Sequence, residues 1–178
     1  MQRRSLNLAA ALAIASCIAG CGEGETGVAG SPKLPTPLIE GFSSLQVAAE
    51  VEEALRRAGK RILVVEDGTP RPAQSKARPP LSVRVVRVSP FEVWGLGGDL
   101  RLEFIDGALS STWFYPSDPK KFDAEAKKRS MGVEPSRPLR LQEATELRSV
   151  FDYTGARYWA WEDIRLRQKL DLWIKHNA

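Results

Sequence analysis

The chain has two cysteines, and both fall within its first 21 residues. From residue 22 onward there is no thiol, which excludes a disulfide, a thiolate nucleophile and a cysteine-ligated metal from that part of the chain. Histidine is almost as scarce, with His176 alone. A zinc site would need carboxylates for its other ligands, and a serine–histidine–acid triad would rest on a base close to the chain end. His176 therefore reads as a cation at a helix end, and no catalytic residue, metal or cofactor is assigned. Long apolar runs are missing too. The longest, Leu8 to Ile18, spans 11 residues, against the roughly 20 that a membrane-crossing helix needs. Charge of one sign is also in short supply: 26 basic against 22 acidic residues give a formal +4, which is no nucleic-acid signature.

What the N-terminus does contain is ordered. Arg3 and Arg4 precede the apolar run, and Ile18-Ala19-Gly20-Cys21 closes it with small residues directly before a cysteine. This stretch resembles the lipobox of bacterial lipoprotein precursors. The resemblance covers the first 21 residues and implies cleavage before Cys21, a diacylglyceryl thioether on its sulfur and acylation of its amino group. Each buried methylene contributes about 0.8 kcal/mol, so two or three chains on one residue would anchor the protein durably. Gly22 follows the cysteine, where many two-membrane bacteria place aspartate to retain a lipoprotein in the inner membrane. The resemblance thus implies the outer membrane, facing the periplasm. Cys17 would leave with the signal segment, as would Arg3 and Arg4, leaving 24 basic against 22 acidic residues. Two other readings exist: a membrane anchor, which Gly22-Glu23-Gly24-Glu25 interrupts, and an ordinary secretory signal cut after Ala19 or Gly20.

The chain then divides into a signal peptide at 1–20, a lipidated cysteine with a flexible linker at 21–41, and one α+β domain at 42–178. The linker is glycine-rich first and proline-rich later. Ser43 or Ser44 is expected to cap a helix carrying Leu45, Ala48, Val51, Ala54 or Leu55, and Ala58, with Gly59 as its stop. Arg61 to Glu66 reads as a short central strand, and Asp67 to Pro80, with four prolines, as a loop. Leu81 to Val88 is a strand, and Phe91 to Trp94 either continues it beyond a bulge or begins another. Gly95-Leu96-Gly97-Gly98 is a turn that opens a strand, not a phosphate loop opening a helix. Asp99 to Tyr115 is a hairpin turning at Asp106-Gly107, where both residues need positive φ. Asp118 caps a surface helix from Pro119 to about Arg129, whose apolar stripe is Phe122 and Ala126.

Thr145 to Tyr153 is expected to alternate Leu147, Phe151 and Tyr153 on one face, turning at Thr154-Gly155 into Arg157 to Trp161. Residues 164–176 fit a strand or a helix, and the helix-forming composition favours helix. The whole suggests a largely antiparallel sheet with helices packed on one face. A lipobox, a tether and a small helix-then-sheet domain also resemble, loosely, the small lipoproteins that accompany outer-membrane protein assembly. That family follows its first helix with a Leu-Gly-x-Pro-like turn, whereas this chain reads Leu55-Arg56-Arg57-Ala58-Gly59-Lys60, and its function is not carried over.

For recognition, the candidates are aromatic residues on two hairpin arms, Trp113 and Tyr115 on one, Tyr158, Trp159 and Trp161 on the other. Arg71, Lys76 and Arg78 supply a basic loop. Neighbours on a strand point to opposite faces, so some of these rings must face away from the core. Adjacent Glu162 and Asp163 diverge for the same reason and cannot form an acid/base pair without a bend. The expected role is a non-enzymatic envelope module, held at the membrane by lipid on Cys21, that binds a protein partner or stabilises an assembly. The alternatives are a binder of glycan or anionic polymer and a small hydrolase.

Overall fold

The computed structural model of the protein describes residues 34–68, 81–135 and 137–177. The lipobox, Cys21 and the basic loop residues Arg71, Lys76 and Arg78 lie outside the described residues. Seven strands form one antiparallel sheet: β1 (Ile62–Asp67), β2 (Val83–Val93), β3 (Leu96–Ile105), β4 (Ala108–Pro116), β5 (Leu139–Arg140), β6 (Thr145–Phe151) and β7 (Arg157–Asp163). They lie in the order β1-β2-β3-β4-β7-β6-β5. Helices α1 (Ala48–Arg57), α2 (Pro119–Lys128) and α3 (Ile164–Asn177) complete an α+β domain. None of these helices is long and apolar enough to cross a membrane.

The β3–β4 hairpin turns at Asp106 and Gly107, with φ of 50° and 77°, the left-handed values a two-residue loop demands. Its register pairs Leu100 with Phe114 and Leu102 with Thr112. One bulged strand spans Val83 to Val93, with the register shift between Val88 and Phe91. The β2–β3 turn falls at Trp94-Gly95, both with positive φ, so Leu96, Gly97 and Gly98 already belong to β3. Gly98 has a packing reason: a Cβ there would stand 2.3 Å from the Tyr115 carbonyl oxygen and 2.7 Å from the Phe114 ring.

Strand alternation sends Val86, Val88, Leu100, Leu102, Phe104, Phe114, Trp159, Trp161 and Leu147 to one face, under α1 and α2. Asp118 caps α2 by accepting from the Lys121 backbone N–H at 3.0 Å. The two-residue stripe of this helix is enough, because Phe122 and Ala126 are wholly buried. The Phe122 ring meets Trp94, Phe114 and Trp159, each with centroids about 5 Å apart. Burying such a ring contributes roughly 1.5–3 kcal/mol.

Several expectations need correction. The helices are not all on one face: α3 lays Leu166, Leu170 and Trp173 against Leu81, Val83, Val85 and Ile105, on the side opposite the main core. α1 begins at Ala48, with Val47 at its N-cap and no side-chain cap. Residues 45–48 are held instead by the hairpin, the Leu45 and Ala48 N–H groups donating to the Leu109 and Gly107 carbonyls. The linker does not extend to residue 41, because Leu38 and Ile39 enter the core and the Thr36 N–H donates to Ser44 Oγ at 3.0 Å. β1 is an edge strand, not a central one. Phe151 and Tyr153 do not share Leu147's buried face: Leu147 is wholly buried, whereas they are 55% and 99% exposed. Phe151 occupies the last rung of the sheet, opposite Arg157, and Tyr153 lies beyond β6 in the turn.

Candidate functional site

Alternation on the sheet face opposite the main core brings together side chains that are distant in sequence. Arg101 pairs with Trp113 and Asp99 with Tyr115 across β3 and β4, and Trp113 pairs with Ala160 across β4 and β7. Tyr158 therefore lies beside Trp113 and Tyr115. Tyr115 stacks on Tyr158 with centroids 4.8 Å apart, Trp113 tilts against Tyr158 at 5.9 Å, and the Arg101 guanidinium stands 4.5 Å over Tyr115. This is a row of three half-buried rings with one cation, the combination that recognises flat or anionic ligands. Burial pushes the Tyr115 hydroxyl up to about 12, against a smaller pull from Arg101. The Tyr158 hydroxyl is raised by burial first and then by Glu162. Both phenols stay protonated at neutral pH and keep an O–H to donate.

At the end of this row the sheet opens into a cleft of about 580 Å³, lined by Tyr115, Pro116, Ser117, Pro119, Lys120, Asp123, Phe151, Gly155, Ala156 and Arg157. Its walls are the exit of β4, the first turn of α2 and the β6–β7 turn. That turn is built by Asp152, whose carboxylate accepts from Thr154 N–H, Thr154 Oγ1 and Ala156 N–H. Arg157 is held at the floor by four contacts. Its Nε donates to Ser149 Oγ at 2.7 Å, its Nη2 reaches Asp123 Oδ1 and the Val133 carbonyl at 3.3 Å, and its guanidinium lies 4.5 Å over Trp159. An oriented arginine and carboxylate, exposed Phe151, two prolines and Lys120 give an apolar cleft with a few fixed polar groups. Its volume is in the range of small-ligand sites.

Of the residues singled out from sequence, Trp113, Tyr115 and Tyr158 converge. Trp159 and Trp161 do not: they are 0% and 2% exposed and belong to the core beneath α2. Strand parity decides this, since odd-numbered positions of β7 face inward while Tyr158 faces out. Arg101, Asp123, Phe151 and Arg157 join the site without having been singled out for it. The alternation of Arg101 with Leu100 and Leu102 was the available signal for the first of them.

A second polar cluster sits on the same sheet face beneath α3. Glu103 accepts from Ser110 Oγ and Ser111 Oγ at 3.1 and 2.9 Å. Glu162 faces Arg167 at 3.3 Å and Arg148 at 3.5 Å. Burial raises the Glu103 carboxyl, opposed by the Ser111 and Ser110 hydroxyls, and burial raises Glu162, opposed by Arg167 and Arg148. The space enclosed by Glu103, Ser110, Ser111, Glu162 and Arg167 leaves no room for a water molecule. Both carboxylates are enclosed beneath α3, and Glu162 ties it to the sheet through Arg167. Asp163 points elsewhere, to Arg165 at 2.5 Å. Among the described residues no group of His, Cys, Asp and Glu is arranged to hold a metal ion. No protein-family model and no curated protein matches the chain significantly.

Proposed function

We propose that the protein is a lipid-anchored, non-enzymatic binding module of the bacterial envelope, which takes a glycan or anionic-polymer segment into the cleft beside Tyr115. The observation that carries this reading is the cleft itself, lined by Tyr115, Phe151, the fixed Asp123–Arg157 pair and Lys120. Sugar rings present apolar C–H faces to aromatic side chains and hydroxyls to planar charged groups, and an acidic polymer adds charge for Lys120. The N-terminal lipobox supports the anchor, with Cys21 as the lipid-bearing residue and the outer membrane as the destination.

The test is a fluorescence titration of the full chain in detergent with soluble oligosaccharides released from the envelope glycan. Saturable quenching is expected, and the paired change Phe151→Ala with Lys120→Ala, both on exposed side chains, should weaken it about tenfold or more. Unchanged binding in that variant, or no binding by the parent, overturns the reading.

A further inference from the structure

One rung of the sheet carries arginines across the face that holds the aromatic row. Register sets Arg87 against Arg101, Arg101 against Trp113, Trp113 against Ala160 and Ala160 against Arg148. Residues on one rung share a face, so three cations line up from β2, β3 and β6. Two of them are neutralised: Arg87 pairs with Asp99, and Arg148 with Glu146 at 2.7 Å and Glu162 at 3.5 Å. Arg101 differs. Among the described residues no carboxylate stands within ion-pair distance of it, and its guanidinium lies 4.5 Å over the Tyr115 ring.

The donors around Arg101 are equally unmatched. Arg101 Nε and Trp113 Nε1, on residues directly opposite each other, are both buried without a hydrogen-bond partner among the described residues. Buried donors are nearly always paired, so two orphans side by side need a reason. Guanidinium and indole nitrogens can only donate. The next rung adds the phenols of Tyr115 and Tyr158, which burial keeps protonated. Asp99, opposite Tyr115, already serves Arg87. One uncompensated positive charge thus stands among N–H and O–H donors, and the chemistry that matches it is a monoanion rich in acceptors.

A carboxylate meets both conditions. Its two oxygens fit the parallel N–H groups of a guanidinium edge, and Arg101 and Trp113 are each half-buried, so a change of rotamer can turn the orphan nitrogens to it. Tyr115 joins this rung to the cleft, since it lines the cleft and also lies against Arg101. We propose that Arg101 forms a second subsite beside the cleft, which receives the carboxylate of an acidic sugar whose neighbour in the same glycan chain occupies the cleft. The subsite rests on the reading of the cleft as a glycan site and narrows it to acidic glycans, with Arg101 setting the preference.

The experiment titrates the full chain in detergent with trigalacturonate and with its methyl ester, a neutral chain of the same length, followed by tryptophan fluorescence. The acid should bind at least about tenfold more tightly than the ester. Arg101→Gln should bring that ratio to within about twofold of one, whereas Phe151→Ala should weaken both ligands in parallel and keep the ratio. Melting curves establish that Arg101→Gln is folded; should it not be, Arg101→Met, which keeps an unbranched stem, replaces it. Equal affinity of the parent for acid and ester, or a ratio that survives the Arg101 change, overturns the subsite and leaves the cleft reading standing. A glycerol-phosphate trimer that binds more tightly than trigalacturonate would make the anion a phosphodiester, which also overturns the proposal. Binding of neither sugar overturns the subsite and the cleft reading together.

Discussion

Replacing Gly98 by alanine tests the packing that joins the hairpin to the candidate cleft. The added Cβ would stand 2.3 Å from the Tyr115 carbonyl oxygen, and 2.7 and 2.9 Å from two atoms of the Phe114 ring. Ordinary contact begins near 3.4 Å, so the two strands must separate by about 1 Å or the ring must leave its buried place. Neither response is easy, because the carbonyl belongs to the β3–β4 ladder and Phe114 is wholly buried against Phe122. Overpacking of this kind costs about 1–3 kcal/mol. At about 4 °C per kcal/mol for a domain of this size, Tm should fall by about 4–12 °C. Gly97→Ala is the matched control, since a Cβ there meets nothing within 4 Å, and it should leave Tm within about 2 °C. Thermal melts followed by near-UV circular dichroism measure both. Equal Tm values for the two variants would refute the argument and require β3 and β4 to be farther apart at this point. Because Tyr115 lines the cleft, Gly98→Ala should also weaken ligand quenching more than Gly97→Ala does.

Gly107→Val should destabilise the domain by about 1–2 kcal/mol in urea denaturation, since a β-branched residue is placed at a φ of 77°; a midpoint equal to the parent's would refute the turn assignment. Burial raises the Glu103 carboxyl above its ordinary 4.5, so above that pH the folded chain binds more protons than the unfolded one. Its contribution to stability therefore falls as pH rises through the raised value. Glu103→Gln keeps an acceptor for Ser110 and Ser111 but has no such slope. It should gain on the parent between pH 4 and pH 8, and parallel urea midpoints over that range would refute the desolvation argument. Cys21→Ala should abolish incorporation of a fatty-acid analogue and release the domain or leave a precursor. Label retained by that variant would sink the lipid-anchor reading.

Legibility followed the range of each interaction. Asp106-Gly107 and Asp118-Pro119 were readable because turn and cap geometry depend on neighbouring residues alone, and the alternation Leu100-Leu102-Phe104 named the inner face of β3. α3 was ambiguous by periodicity and settled by composition. For Phe151, at the last rung of β6 opposite Arg157, alternation shows a side of the sheet but not whether that side is covered. The exposed position of β1 was equally unreadable, since Ile-Leu-Val-Val suits a central strand and only the strand order leaves it at an edge.

By itself, then, the sequence determined most of the local elements, the absence of thiols beyond residue 21 and the shortness of its longest apolar run, all of which rest on residue chemistry and spacing. Tertiary structure decided the rest. Tyr158 faces out while Trp159 and Trp161 face in, and Glu103 comes to rest near Glu162, because strand order and register place β7 beside β4. Phe151, Asp123 and Arg157 meet at one cleft only because α2 and the β6–β7 turn close on the same end of the sheet. Such meetings depend on pairings between segments tens of residues apart, and no local propensity encodes them.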